Sequence, residues 1–163
     1  MKLDKTVESA LNKQVNEELY AWYLYLSAAM HLETKNFDGF AAWMKHHADE
    51  EMEHAKKIMD YINERGGKVV LKQITAPKTE WKTIQEVFED AYNHELKVTE
   101  MIYDLSNIAD DEDDLTTETF LQWFLTEQAE EEKITSELVE KVKMAGNNMG
   151  ALLMLDGKIM KKD

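Results

Sequence analysis

A chain of 163 residues without a single cysteine has room for one well-buried core, and it excludes disulfide frameworks, thiol catalysis and every Cys-ligated zinc or iron cluster. Its 19 basic and 33 acidic residues leave a formal charge of −14, which repels nucleic acid and anionic lipid and makes cations the partners to expect. The opening MKLDKTVESA lacks the apolar run of a signal peptide, and no stretch approaches the roughly 18 apolar residues of a membrane span, so a soluble, cytoplasmic protein is expected.

Helix-breaking residues are few and grouped, and they set the predicted elements. A first helix is predicted over 4–34, ending at the punctuation from Asn36 to Gly39. A second follows over 37–65. Gly66, Gly67 and the only proline, Pro77, then make 66–81 the one long irregular connection. A third helix is predicted over 82–110, the acidic run DDEDD reads as a solvated turn, a fourth helix spans 114–145, and a short fifth lies near 148–160.

At about 1.5 Å per residue the first four helices are each on the order of 45 Å long. Short turns make the first pair and the last pair antiparallel, while 66–81 is long enough to run the height of a bundle. The expectation is an all-α, four-helix bundle over about 4–145 with one crossover, up-down-down-up, forming with the fifth helix a single domain over 1–163.

Stepping alternately three and four residues along each helix traces its apolar face. The first gives Leu11, Val15, Glu18, Trp22, Tyr25, Ala29 and Leu32, and the second Ala41, Met44, Ala48, Glu51, Ala55, Ile58 and Ile62. The third gives Ile84, Phe88, Ala91, Glu95, Val98, Ile102 and Leu105, and the fourth Phe120, Phe124, Glu127, Glu131, Ile134, Leu138 and Val142. Each stripe is apolar except for glutamate near its middle. Glu18, Glu51 and Glu95 lie at similar depths along their helices, Glu127 and Glu131 straddle that level, and His54 follows Glu51 by three residues on nearly the same face.

One glutamate on an apolar stripe is ordinarily a phase error or a side chain that snorkels to water; four stripes interrupted at one height are not. No lysine or arginine lies on any of them, and an unpaired buried carboxylate costs several kcal/mol unless it is protonated or binds metal. Carboxylates with one imidazole are too many, and too hard, for one tetrahedral zinc, and they suit two divalent ions. Glu51 is the natural bridge, with Glu18 and His54 completing one ion and Glu95 and Glu131 the other.

Tyr25, seven residues after Glu18, is nearly eclipsed with it and can hydrogen-bond a ligand carboxylate. His46, His47 and His94 lie close in sequence to the cluster but are read as supporting or surface residues, and Trp123 as packing.

The runs NEELYAWYLYL, HADEEMEHAKK, YNHE and FLQWFLTEQAEEEK, in this order and spacing, resemble the four helices of prokaryotic non-haem ferritins, and the likeness covers nearly the whole chain. It implies a first iron site of Glu18, Glu51 and His54 and a second of Glu51, Glu95 and Glu131. Tyr25 and Gln128 fall on positions that support these ligands. Glu50, Glu127 and Glu130, sharing Glu131, match a third, inner-surface site. The implied activity is ferroxidase, with Fe(II) as substrate and dioxygen or hydrogen peroxide as oxidant, and with ferric mineral stored in a hollow homo-oligomer of 24 subunits.

Where bacterioferritins and di-iron oxygenases carry a second Glu-x-x-His, Ile134 follows Glu131, so the resemblance favours the non-haem class. No haem is expected, although Met52 matches the haem-holding position of bacterioferritins. Glu118 matches a position lining three-fold entry channels, and the apolar ALLMLDGKIM segment one lining a four-fold axis. Two alternatives stand beside this reading: a di-iron oxygenase or oxidase acting on another substrate, and a structural bundle without enzymatic activity.

Overall fold

The computed structural model describes residues 2–160, in which the chain forms α1 (Lys5–Thr34), α2 (Asp38–Glu64), α3 (Ile84–Asp111), α4 (Leu115–Ala145) and α5 (Met149–Lys158). No strand occurs among the described residues. Residue 1 and residues 161–163 of the predicted domain lie outside them. Each boundary falls within two residues of its prediction.

The helix starts follow from local chemistry. Asp4, Thr83, Asp114 and Asn148 each accept a hydrogen bond from a backbone N–H of the helix they precede, which satisfies donors that a first turn leaves open. Asn36 and Asp113 take positive φ in the two short turns, a conformation that Asn and Asp tolerate better than most side chains. The start of α2 has no cap of its own at Phe37. Asp156 of α5 supplies it, accepting from the Phe40 N–H at 2.8 Å.

Side chains of α1 fix the crossover. Asn12 donates to the Lys68 carbonyl at 2.9 Å and accepts from the Val70 N–H at 2.7 Å, and Ser27 donates to the Lys78 carbonyl at 2.7 Å. The connection therefore climbs alongside α1 in the direction of α1. It delivers α3 to the end where α1 finishes, so α3 runs parallel to α2 and antiparallel to α1, the up-down-down-up order.

Two apolar clusters fill the bundle at different heights. One gathers Ala29, Leu32, Phe40, Met44, Phe88 and Val142. The other gathers Leu11, Val15, Ile58, Ile62, Ile102 and Leu121. The level between them is polar, and Glu18, Glu51, His54, Glu95, Gln128 and Glu131 are buried there.

The stripe on α2 is buried throughout, and on α1 and α3 only Trp22 and Ile84 are partly exposed. On α4 the face differs from the predicted one. Its buried residues are Thr117, Leu121, Phe124, Gln128, Glu131, Thr135, Val139 and Val142, and Phe120, Glu127, Ile134 and Leu138 sit on the flank. Polar groups with hidden partners turned the helix. Thr117 bonds Asp114 and Tyr61, Gln128 bonds Glu95, and Thr135 donates to the Glu131 carbonyl at 2.7 Å, so burying them leaves no polar group unsatisfied.

Candidate metal centre

Four helices each send a glutamate into the polar layer: Glu18 from α1, Glu51 from α2, Glu95 from α3 and Glu131 from α4. Glu95, Glu18 and Glu51 are only 0%, 1% and 2% exposed. On α2 the three-residue offset sets His54 beside Glu51, with His54 Nδ1 3.1 Å from Glu51 Oε2 and 3.8 Å from Glu18 Oε2. Ligand atoms of Glu18, Glu51 and His54 lie within 4.8 Å of one another, close enough for one metal ion. Glu18 Oε1 accepts from the Gln14 amide at 2.8 Å. Its Oε2 is buried and accepts no hydrogen bond from the described residues.

Glu95 is held from two sides. The Tyr25 hydroxyl donates to Oε1, and the Gln128 amide donates to Oε2 at 3.1 Å and to the Glu95 carbonyl at 3.3 Å. A second group that could hold a metal comprises His47, Glu50 and Glu131. His47 Nδ1 stands 3.3 Å from both Glu50 Oε2 and Glu131 Oε2, and neither oxygen is hydrogen-bonded. Bare, buried carboxylate oxygens converging on imidazoles form a donor set that suits a hard divalent cation.

The sequence reading left His47 out, and here the structure differs. His47 is buried, packs at a tilt against Trp43 with ring centroids 3.8 Å apart, and lies between Glu50 and Glu131. A signal was available: His47, Glu51 and His54 follow at helical steps of four and three. Of the residues matched to a third site, Glu50 and Glu131 are drawn together in the group with His47 and the other two are not. Glu127 is half-buried, Glu130 is exposed, and neither belongs to the groups described above. Glu53 faces water and pairs with Lys56 at 2.8 Å. His46 is exposed beside Glu50. Trp123 sets its ring edge-on to His54 at 5.5 Å and carries the Lys57 ammonium on its face at 4.4 Å. His94 lies between Tyr20 and Tyr25, and burial pulls its imidazole down to about 4.

The electrostatics of the layer follow from burial among like charges. Burial raises the Glu51 carboxyl well above its ordinary range, the negative charges of Glu18 and Glu95 raise it further, and the contact with His54 only partly opposes them. Burial likewise raises Glu95 to about 7 against the hydrogen bonds of Tyr25 and Gln128. Burial alone would lower His54, but the carboxylates of Glu18 and Glu51 push it up to about 11. Glu18 also suffers burial, yet His54 and Gln14 hold its carboxyl below the usual range.

Without metal the layer therefore holds a proton on His54 at neutral pH and on a fraction of Glu95, and burial among like charges favours the protonated form of Glu51. Metal ligation requires these groups deprotonated. Titrating the metal-free protein with Co(II) at pH 7 should release at least the His54 proton and a share of the Glu95 proton from each subunit, measurable in a pH-stat. The yield should fall modestly towards pH 8, as Glu95 ionises on its own, while the His54 proton remains to be displaced. Release of none would mean that the layer is already ionised.

A family model described as a ferritin-like domain matches residues 8–145. The bacterial non-heme ferritin of Staphylococcus epidermidis is 38% identical over 157 residues, which cover 96% of this chain and 95% of that protein. The bacterial non-heme ferritin of Campylobacter jejuni is 38% identical over 154 residues, covering 94% of this chain and 92% of its own length. Among solved structures, the open-pore ferritin of the archaeon Archaeoglobus fulgidus superposes with a TM-score of 0.96 at 39% identity, covering 99% of this chain and 100% of that one. A form of that ferritin closed by site-directed mutagenesis gives a TM-score of 0.97 at 39% identity, with 99% of each chain covered. With the bundle, its single crossover and the carboxylate layer described, these likenesses are decisive: the chain belongs to the ferritin family.

Proposed function

We propose that the chain is an iron-storage ferritin subunit, a single domain over 1–163, that oxidises Fe(II) with dioxygen and passes Fe(III) to a mineral core. The observation that carries the reading is the convergence of one buried glutamate from each of four helices, with His54, where oxygens of Glu18 and Glu131 find no hydrogen-bond partner among the described residues.

Fe(II) is substrate here. Glu18, Glu51 and His54 hold one ion, Glu51 shares its carboxylate with a second, and Glu95 and Glu131 complete that one. Two Fe(II) each give one electron to dioxygen, which takes up two protons and leaves as hydrogen peroxide. Hydrogen peroxide, as the alternative oxidant, takes the same two electrons to give water. Hard carboxylates favour the ferric product over the ferrous substrate. Tyr25 and Gln128 keep Glu95 oriented towards the layer. Glu50, Glu127 and Glu130 give the product an acidic path beside Glu131 towards the inner surface of the shell, and His47 stands at its start.

Storage needs a cavity that one bundle lacks, so the reading includes a cytoplasmic shell of 24 subunits. It is supported by the exposed apolar side chains of the C-terminal segment, Met149, Leu153 and Met154, which are suited to burial against other subunits. It is supported also by the ferritins that the fold matches. Anaerobic Fe(II) loading followed by air, on protein sized by gel filtration, tests it. A shell that oxidises about two irons per subunit quickly before slower mineral growth is expected. Turnover that depends on an organic substrate would instead favour an oxygenase. A monomer would remove storage, and oxidation no faster than in buffer would remove the ferroxidase.

A further inference from the structure

We propose that Gln14 is a positioning residue for Glu18, whose amide determines which carboxylate oxygen is left to receive the first metal ion. The inference rests on the metal site proposed above. A carboxylate only accepts hydrogen bonds, so the Gln14 amide must present its nitrogen, 2.8 Å from Glu18 Oε1. The four-residue offset on α1 brings the two side chains together. Both are buried, Gln14 at 4% exposure and Glu18 at 1%. One oxygen is thus occupied. The other, Oε2, has no hydrogen bond and faces His54 Nδ1 at 3.8 Å.

The opposite side of the layer differs. Both oxygens of Glu95 are bonded, one by Tyr25 and one by Gln128. Two buried glutamines therefore each hold one carboxylate, but of those two carboxylates Glu18 alone keeps an oxygen without a hydrogen bond among the described residues. Gln14 makes Glu18 a ready single-oxygen ligand.

Gln14 also lines a cavity of about 60 Å³ on the α1–α3 face, together with Lys13, Glu17, Met101 and Asp104. A side chain at position 14 without a donor leaves the buried Glu18 Oε1 without that partner, and the carboxylate relieves this by turning both oxygens towards His54. The pre-set orientation is then lost. Supporting groups of this kind typically govern metal affinity by 10–100-fold.

The test is an anaerobic Co(II) titration of the full chain followed by visible absorption, comparing wild type with Gln14→Met, which keeps the side-chain volume and removes the donor. The expected result is a first ion bound about 10–100-fold more weakly with an altered band shape, and in Fe(II) oxidation a raised KM with a smaller change in kcat. Repeating the substitution in a Glu18→Gln background separates positioning from general damage, because the Gln14 effect should vanish there. An equal loss in both backgrounds, or an unchanged affinity and spectrum in Gln14→Met, overturns the proposal. Gln14→Leu answers the same question if the Met variant does not fold. Failure of wild type itself to bind Co(II) would instead overturn the metal site on which the inference rests.

Discussion

Glu51→Ala is expected to abolish the fast phase of Fe(II) oxidation, with a loss of at least ~100-fold, whereas Glu53→Ala should stay within about twofold of wild type in stopped-flow absorbance. The two residues are two positions apart on one helix and differ in everything that matters here. Glu51 is 2% exposed, touches His54 and sits where Glu18 and Glu95 both act on its charge. Removing it takes away the one carboxylate that both proposed ions share and leaves His54 without its nearer partner. Glu53 points to water and pairs only with Lys56, and an exposed pair of that kind contributes ~1 kcal/mol or less to stability. Equal losses from the two substitutions would mean that α2 is rotated from the phase described.

Gly39→Ala carries the second large effect, on stability. A Cβ on Gly39 would stand 1.8 Å from the Asp156 carbonyl oxygen and 2.8 Å from its carbon, and backbone atoms cannot rotate out of the way. Either α5 shifts or α2 bends. Either way the Asp156 cap on the Phe40 N–H is strained or lost and buried Leu152 is disturbed. Overpacking costs about 1–3 kcal/mol and a lost charge-assisted hydrogen bond about 1.5–3 kcal/mol. A fall in Tm of roughly 5–15 °C follows, with trypsin cutting α5 sooner at Lys158. Gly157→Ala is the control, since nothing lies within 4 Å of a Cβ there, and its Tm should match wild type. No loss in Gly39→Ala would mean that the helices do not approach so closely.

Much of this architecture is written in the sequence because periodicity and punctuation are local. Pro77 with Gly66 and Gly67 marks the crossover, and the three stripes on α1, α2 and α3 follow a simple alternation of steps. The position of Glu18, Glu51 and Glu95 within those stripes marks the polar layer as well. What escaped was burial that depends on a partner from elsewhere in the chain. Thr117 looks like a surface residue on α4 until Tyr61 is brought to it, and Gln128, picked out by resemblance alone, shows why it is buried once Glu95 is beside it. His47 reads as one more polar residue in HADEEMEHAKK until α4 sets Glu131 beside it. Asp156 caps a helix that begins 118 residues earlier in the sequence, at Asp38, and no local pattern announces such a pairing.

The two apolar clusters bear on how anything charged reaches the middle of the bundle. Between Val7 and Val15 of α1, apolar side chains line one end of the bundle over about 12 Å of its long axis, and a second apolar cluster fills the other end. A hydrated ion stripped of its water along either route would meet mainly hydrocarbon and few oxygens to replace it. On the proposed function the less costly approach is sideways, through the seams between neighbouring helices, and the side chains that border those seams would govern it.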